Sequence, residues 1–389
     1  MSGGTYVAEV DGLRFIAILS VFVYHVGRMT EIRVHPYIAP ASMILALIGK
    51  VIFHGDRGVA IFFAISGFIL GIPFARERLL DGPKVSIRKY LLRRLTRLEP
   101  PYMISQLFRL YPVMLARSLS FAKILPHLLA GLFYVHLLLY GTFPTVQLVG
   151  WSLEIEIQFY LLAPLLAAVF FRKSPWTRRA LLVGFLLLHS VVVPLVGPAI
   201  VGNPRFGTPL ARFTVNTILF WIRFFVAGML TADIYVSLMP KLRKHLAWDA
   251  ISVVCWAAAF LMPTHYWMLL GPFLLVVAFT GAFKGKLVPG LLRLPLVATI
   301  GGMCYSLYLT HSIVLQAFYL AYVKLLPGIH GFFFRMILGE FLIVPWLIFF
   351  GAIYFVLIER PCMDKRWPSK LMAWIRKTTG RSNPLEQAE

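Results

Sequence analysis

The chain has 389 residues, of which 59% are hydrophobic and only 14% are charged, and its mean hydropathy is +0.78. This balance excludes an ordinary soluble globular protein and predicts an integral membrane protein that crosses the bilayer several times. The net charge of +22 does not indicate a nucleic-acid partner, because the basic residues lie between apolar segments instead of in one basic domain.

The distribution of lysine and arginine predicts the orientation of the chain. A total of 25 such residues lie in 76–100, 172–179, 240–245, 284–293 and the segment from 358 onward, whereas the alternate segments carry seven. Positively charged loops favour the cytoplasmic side of a membrane. Both termini are therefore predicted to be cytoplasmic.

Long apolar segments predict nine membrane-spanning helices, and cytoplasmic termini require an even number of crossings. A tenth crossing is expected in 101–140, whose 40 residues exceed the ~20 that one helix needs and favour a broken or re-entrant segment. We expect an all-α integral membrane protein with about ten transmembrane helices in one bundle. A transmembrane domain over 1–362 and a basic cytoplasmic tail over 363–389 complete the predicted organisation. The nine segments are 10–27, 58–75, 148–171, 179–197, 213–236, 247–262, 266–283, 295–323 and 331–357.

Arg14 and His25 lie inside the first apolar span. Eleven helical residues make nearly three turns, so both side chains are predicted to share one face, roughly 16 Å apart along the axis. Ionisable residues inside a membrane commonly mark a polar pathway or a reaction site. Asp11 precedes Arg14 by one turn, a spacing that allows an ion pair. Alternatively, Arg14 snorkels to the interface and His25 is a buried structural residue.

The second span is rich in small residues, which let a neighbouring helix approach closely. Asp56 and Arg57 precede this span on the same predicted outer side as His25, where they could form a polar mouth. The small residues are Gly58, Ala64, Ser66 and Gly67.

Three arginines, Arg93, Arg94 and Arg97, precede a pair of prolines, and the first and third are four residues apart on one predicted helical face. They could simply anchor the chain at the cytoplasmic interface. They could also form an anion site, because guanidinium groups bind phosphate in a bidentate manner.

Trp151, Ser152 and Glu156 lie in the first turns of the fourth crossing, with Ser152 one turn before Glu156. Acidic residues there could merely favour the positive end of the helix dipole. The predicted direction of this helix, however, brings Glu156 to roughly the depth of His25. A carboxylate beside an imidazole fixes its tautomer and stabilises its charged form, which prepares a histidine to act as a base.

Tyr308 and His311 lie on adjacent faces of the ninth span, near mid-membrane. A buried histidine with a tyrosine neighbour is often a structural hydrogen-bonding group. Two histidines, a glutamate and several arginines in one bundle more readily indicate a site, because each buried polar group must be paired. We expect no metal site, because the cysteines are scattered without metal-ligand spacing.

Together these segments resemble the acyltransferase-3 family of integral membrane acyltransferases, which modify surface polysaccharides, lipid-linked glycans and some small natural products. The chain is similar to the stand-alone type, without an appended hydrolase-like domain. The matching motifs are Arg14 with His25 (R-x10-H), Gly58–Phe68, Arg93–Arg97, Trp151–Tyr160, Tyr305–His311 and Ile358–Pro361.

The resemblance implies O-acyl transfer from a cytoplasmic acyl-CoA, expected to be acetyl-CoA, to a hydroxyl of a glycan or glycosylated acceptor. His25 would either remove the hydroxyl proton or accept the acyl group transiently, and the sequence does not choose between these routes. Glu156 would orient His25, and Arg14 would line the donor path or stabilise negative charge. The three arginines of residues 93–97 would bind the donor phosphates. The other expected site-lining residues are Asp11, Asp56, Arg57, Ser66, Trp151, Ser152, Tyr308 and His311.

The expected location is the bacterial cytoplasmic membrane. The competing interpretation is a proton-coupled transporter that uses the same buried ionisable residues, Arg14, His25, Glu156 and His311. The sequence lacks the two similar halves of many transporter folds.

Overall fold

A computed structural model describes residues 7–33, 37–38, 40, 42–196, 216–325, 331–364, 367, 369 and 373. Most of the predicted tail, 363–389, lies outside the described residues. Where the chain is described, it is helical and contains no strand.

The helices are defined here in chain order. They are α1 (Ala8–Arg33), α2 (Met43–Phe53), α3 (Arg57–Leu79), α4 (Ile87–Arg117), α5 (Phe121–Leu132), α6 (His136–Tyr140), α7 (Gly150–Leu166), α8 (Pro175–Val196), α9 (Ile218–Ser237), α10 (Leu246–Leu261), α11 (Thr264–Lys284), α12 (Val288–Leu292), α13 (Pro295–Gly302), α14 (Cys304–Leu325), α15 (Phe332–Tyr354) and α16 (Arg360–Cys362).

Among the described residues, seven helices are long and apolar enough to span a membrane: α1, α3, α7, α8, α9, α11 and α15. The α13–α14 pair adds an eighth span if it is counted as one, although it is bent by 73°. The predicted span 247–262 corresponds to α10, whose 16 residues extend about 24 Å, less than the ~30 Å hydrocarbon core. The multi-pass helical architecture is confirmed, while ten crossings and cytoplasmic termini stay predictions.

The segment 101–140 is not one continuous helix. The α4 helix continues through its three prolines to Arg117 and ends at Ser118, which adopts a left-handed conformation with a φ of 51°. The α5 and α6 helices follow. The segment expected to be broken is therefore interrupted at Ser118, where the chain leaves α4.

Close contacts between helix backbones hold α3 at the centre of the bundle. A side chain at Gly67 would collide with the backbone oxygen of Phe225 on α9, and one at Gly228 with the backbone oxygen of Ala64. Gly58 meets the backbone of α1 in the same way. Small residues therefore allow the close approach that the sequence predicts for the second span.

The break between α13 and α14 is stabilised from the end of the last span. Glu359 ends a π-helical segment that continues α15, Phe355–Glu359. Its Oε2 accepts hydrogen bonds from the backbone nitrogen of Ser306 at 3.1 Å and from its hydroxyl at 2.6 Å. Because the first N–H groups of a helix lack intrahelical partners, this carboxylate satisfies one of them and fixes the start of α14.

Candidate functional site

A cavity with about 890 Å³ of atom-free space, part of it open to solvent, lies between α1, α3, α4, α7 and α14. On α7 its lining extends from Ser152 to Tyr160, which is about 12 Å along the helix axis. The cavity therefore has two ends. Its polar lining comprises Arg14, Ser66, Arg94, Arg97, Ser152, Glu156, Tyr160, Tyr305, Tyr308 and Glu359.

One end of the cavity holds three arginines. Arg14 Nη1 lies 2.5 Å from Asp11 Oδ1, so the predicted ion pair is present. Arg97 Nη2 lies 3.6 Å from Glu359 Oε1, and the Arg94 guanidinium lies 5.8 Å from the centre of the Tyr160 ring. Three arginines thus converge on this end, with Asp11 beside Arg14 and Glu359 beside Arg97, and Glu156 lines the same cavity. The guanidinium groups can donate hydrogen bonds to an anionic ligand.

Arg93 does not take part in this end of the cavity. It is exposed, and it is absent from the lining, whereas Arg94 and Arg97 both line the cavity. The structure therefore gives Arg93 no place beside Arg97 at the cavity, where the sequence predicted one. Residues three apart also share a helical face, and the packing of α4 turns the face of Arg94 and Arg97 inward.

Glu156 is bound to α3 and to its own helix. Its Oε1 accepts hydrogen bonds from Ser66 Oγ at 2.6 Å and from Tyr160 Oη at 2.5 Å. The hydrogen bonds that the structure gives Glu156 do not reach His25, so the expectation that Glu156 orients that imidazole is not met. The depth estimate did not determine the rotation of α7, which turns Glu156 toward Ser66.

The opposite end of the cavity is lined by Ser152, Tyr308 and Phe62. The hydroxyl oxygens of Ser152 and Tyr308 lie 2.8 Å apart, and the Tyr308 ring is 6.1 Å from that of Phe62, centre to centre. The His311 ring lies 5.5 Å from Tyr308. This histidine is therefore one side chain away from the cavity.

His25 is paired with His311. Their ring centres are 5.1 Å apart, and His311 is fully buried. The Nδ1 atom of His311 lies 2.6 Å from the backbone oxygen of Tyr308. A carbonyl oxygen only accepts, so Nδ1 carries the hydrogen, and Nε2, which has no hydrogen-bond partner among the described residues, is left as an acceptor. The structure thus gives His25 a histidine neighbour where a carboxylate was expected.

Arg57 does not form an open polar mouth beside His25. Its guanidinium is buried, donates to the backbone oxygens of Ala259 at 2.6 Å and Met262 at 2.9 Å, and lies 5.0 Å from the Trp267 ring centre. These contacts satisfy carbonyls at the end of α10, which have no intrahelical partner. Asp56 is exposed and lies outside the cavity lining.

Trp151 supports the site from outside the cavity. Its ring lies 5.4 Å from Trp221 and 6.5 Å from Phe63, centre to centre, and it is absent from the lining. It therefore packs α7 against α3 and α9, whereas the next residue, Ser152, reaches the cavity.

Three polar cavity residues received no role from the sequence, Tyr160, Tyr305 and Glu359, which were visible only as parts of motif segments. The partner of Tyr160, Glu156, is one turn away on the same helix, and that spacing could have revealed it. Tyr305 and Glu359 contact residues from distant parts of the chain, Leu98 for the first and Arg97 and Ser306 for the second. Among the described residues, no cluster of three or more His, Cys, Asp or Glu side chains is arranged to hold a metal ion.

Comparison with known proteins identifies the family. A family model described as an acyltransferase domain, that of acyltransferase-3, matches residues 7–360. A protein of Staphylococcus aureus strain COL, named "Putative O-acetyltransferase", is 25% identical over 172 residues, which are 41% of this chain and 24% of that protein. A protein of the same name from strain MSSA476 matches to the same extent.

The match spans about a quarter of the length of these relatives. No solved structure matches the chain. The family match, in contrast, extends over nearly every helix described above, from α1 to the start of α16. This chain is a multi-pass membrane protein that belongs to the acyltransferase-3 family.

Proposed function

We propose that this protein transfers an acetyl group from acetyl-CoA to a hydroxyl of a glycan or glycosylated acceptor. The observation that carries the proposal is the cavity whose one end holds Arg14, Arg94 and Arg97. Its other end lies one side chain from His311, and His25 lies directly behind His311. Membership of an acyltransferase family favours this reaction over transport.

The basic end suits the phosphates of the donor. Arginine forms strong, charge-assisted hydrogen bonds with phosphate oxygens. The Tyr160 ring beside Arg94 and the Asp11 carboxylate beside Arg14 hold two of the guanidinium groups in place. A donor anchored there would extend its pantetheine arm along α7 toward Ser152 and Tyr308.

The histidine end suits the acyl transfer itself. In the direct route, His25 removes the proton of the acceptor hydroxyl, the oxygen forms a bond to the thioester carbonyl carbon, and the carbon–sulfur bond breaks to release the CoA thiolate. In the covalent route, the His25 nitrogen first forms a bond to the thioester carbonyl carbon and displaces the CoA thiolate. The acceptor hydroxyl oxygen then bonds to the same carbon, the carbon–nitrogen bond breaks, and the hydroxyl proton passes to the thiolate. Tyr308 and Ser152 carry hydroxyls that can donate to the developing negative charge on the carbonyl oxygen.

We assign Glu156 a positioning role instead of the predicted role beside His25. Its hydrogen bonds with Ser66 and Tyr160 join α3 to α7 across the middle of the cavity. It would keep the two ends of the donor path aligned. We also propose that the protein resides in the bacterial cytoplasmic membrane, with the basic end of the cavity toward the cytoplasm, as the positive-inside pattern favours.

The experiment uses purified full-length protein in detergent, supplied with acetyl-CoA labelled in the acetyl group. We expect release or transfer of the label by the parent protein and its loss in His25→Gln. His265→Gln is the matched control, because His265 is exposed at the start of α11 and is absent from the cavity lining, so this variant should behave like the parent.

Uptake of a solute into vesicles without any thioester cleavage would contradict the proposal, as would full turnover by His25→Gln. Mass spectrometry of rapidly quenched protein separates the two routes, since only the covalent route leaves an acetyl group on His25. Mass spectrometry of cellular glycans with and without the gene would identify the acceptor.

A further inference from the structure

A second cavity lies where α3, α9 and α11 all end. It has about 760 Å³ of atom-free space, including open solvent. Four basic side chains line it, Arg76, Lys244, Lys284 and Arg293, together with one carboxylate, Glu9. We call this cavity the basic cleft and these five charged residues its rim. None of them lines the first cavity, to which we assign donor binding.

Contacts between distant segments fix the rim of the basic cleft. The Lys284 ammonium donates to the backbone oxygen of Leu242 at 2.8 Å, and the backbone nitrogen of His245 donates to the Lys284 oxygen at 3.2 Å. These bonds hold the short connection that carries Lys244. On the opposite side, Arg293 pairs with Glu9, which joins α1 to the segment after α12.

The charges of the rim do not cancel. Glu9 is the single carboxylate among the described lining residues and is already paired with Arg293. Arg76, Lys244 and Lys284 line the same space, so four cations face one carboxylate among the described lining residues. Cations gathered around a concave surface attract an anion, and they do so more strongly than the same charges on a flat surface.

The wall of the basic cleft is apolar. Val236, Met239 and Phe283 are buried and line it, and the Tyr235 ring lies 5.1 Å from that of Phe283, centre to centre. A small hydrated anion would gain nothing from such a wall. An occupant that carries both a phosphate and hydrocarbon would contact the cations and the wall at once.

We propose that the basic cleft binds the headgroup and adjoining hydrocarbon of an anionic phospholipid. Basic pockets between transmembrane helices on the cytoplasmic side are suited to such headgroups, and the positive-inside pattern assigns these helix ends to that side. The shared chemistry is a phosphate ester, and the apolar wall favours the lipid over a soluble phosphate.

The experiment titrates purified full-length protein in neutral detergent with phosphatidylglycerol and follows the unfolding temperature. We expect phosphatidylglycerol to raise it, whereas phosphatidylcholine with the same acyl chains, and glycerol phosphate, leave it unchanged. Loss of one lipid-facing cation should weaken the affinity about fivefold. Arg76→Gln combined with Lys244→Gln should therefore weaken it about 25-fold.

Lys241→Gln combined with Arg243→Gln is the matched control, since both residues are exposed and neither lines the cleft. An equal loss in this control would refute a specific site and indicate general attraction to positive charge. Equal stabilisation by glycerol phosphate would refute the lipid, and no effect of phosphatidylglycerol would refute the site. If the double variant does not fold, Lys244→Gln alone, at an exposed position, tests the fivefold loss.

Discussion

The arrangement of the arginines predicts that Arg94→Gln weakens the use of acetyl-CoA while Arg93→Gln does not. Arg94 lines the cavity beside Tyr160, whereas Arg93 is exposed. Replacing a hydrogen bond to a charged group costs about 1.5 to 3 kcal/mol, and each 1.36 kcal/mol is a factor of ten. The Arg94→Gln variant should therefore lose about ten- to 100-fold in kcat/KM.

Replacing Arg94 tests donor binding more directly than replacing Arg97. Arg97 lies 3.6 Å from the fully buried Glu359, so its removal would leave a buried carboxylate without its cation and destabilise the fold. No ion pair of Arg94 is present among the described contacts. Its replacement should therefore act on donor binding, and the unfolding temperature of Arg94→Gln should stay close to that of the parent.

The assay compares acetyl-CoA with acetyl-pantetheine, which has the reacting thioester but lacks the nucleotide and its phosphates. If Arg94 binds a donor phosphate, the parent and Arg94→Gln should use acetyl-pantetheine equally well. The change should appear as a higher KM for acetyl-CoA with little change in kcat. An equal rise in KM for Arg93→Gln, or an equal loss with acetyl-pantetheine, would refute the assignment.

Three further predictions concern stability, measured as unfolding in detergent. Gly67→Ala should destabilise the protein by about 1 to 3 kcal/mol through overpacking. Gly184→Ala, at a helical position with no neighbour within 4 Å, should stabilise it slightly. Equal effects of the two substitutions would contradict the packing argument. Arg57→Gln should cost about 1 to 3 kcal/mol, because buried carbonyls lose a donor, and an unchanged unfolding temperature would contradict this. Burial and the nearby His127 charge lower the pKa of His136, against the effect of a backbone hydrogen bond. The unfolded chain is therefore protonated before the folded protein, so stability is lost as the pH falls below about 6.5. His136→Gln should make the unfolding temperature less dependent on pH in this range.

The sequence predicted the features that depend on a single helix. The apolar segments predicted the multi-pass architecture, and the spacing of Asp11 and Arg14 predicted their ion pair. The small residues of the second span predicted close helix packing, which Gly58 and Gly67 provide. Each of these inferences needs only the periodicity of one helix or its composition.

Features that depend on how two helices are rotated against each other could not be predicted in this way. Whether Arg93 or Arg94 faces the cavity depends on the rotation of α4. The spacing does not decide between them, because residues three apart share a helical face just as residues four apart do. Glu156 and His25 were assigned the same depth, but equal depth does not make two side chains face each other. The neighbour of His25 is His311, which comes from a helix almost three hundred residues later in the chain.

The bend before α14 connects the two ends of the cavity. Glu359 accepts hydrogen bonds from Ser306 at the start of α14, and Tyr308 and His311 follow within the next two turns of that helix. The same carboxylate lies beside Arg97 at the basic end. A buried carboxylate is stable only when it is paired or hydrogen-bonded. Glu359 is both, because α14 supplies its hydrogen bonds and α4 supplies its cation, Arg97. The last motif of the chain thus sets the position of the histidine end while its charge is balanced at the donor end.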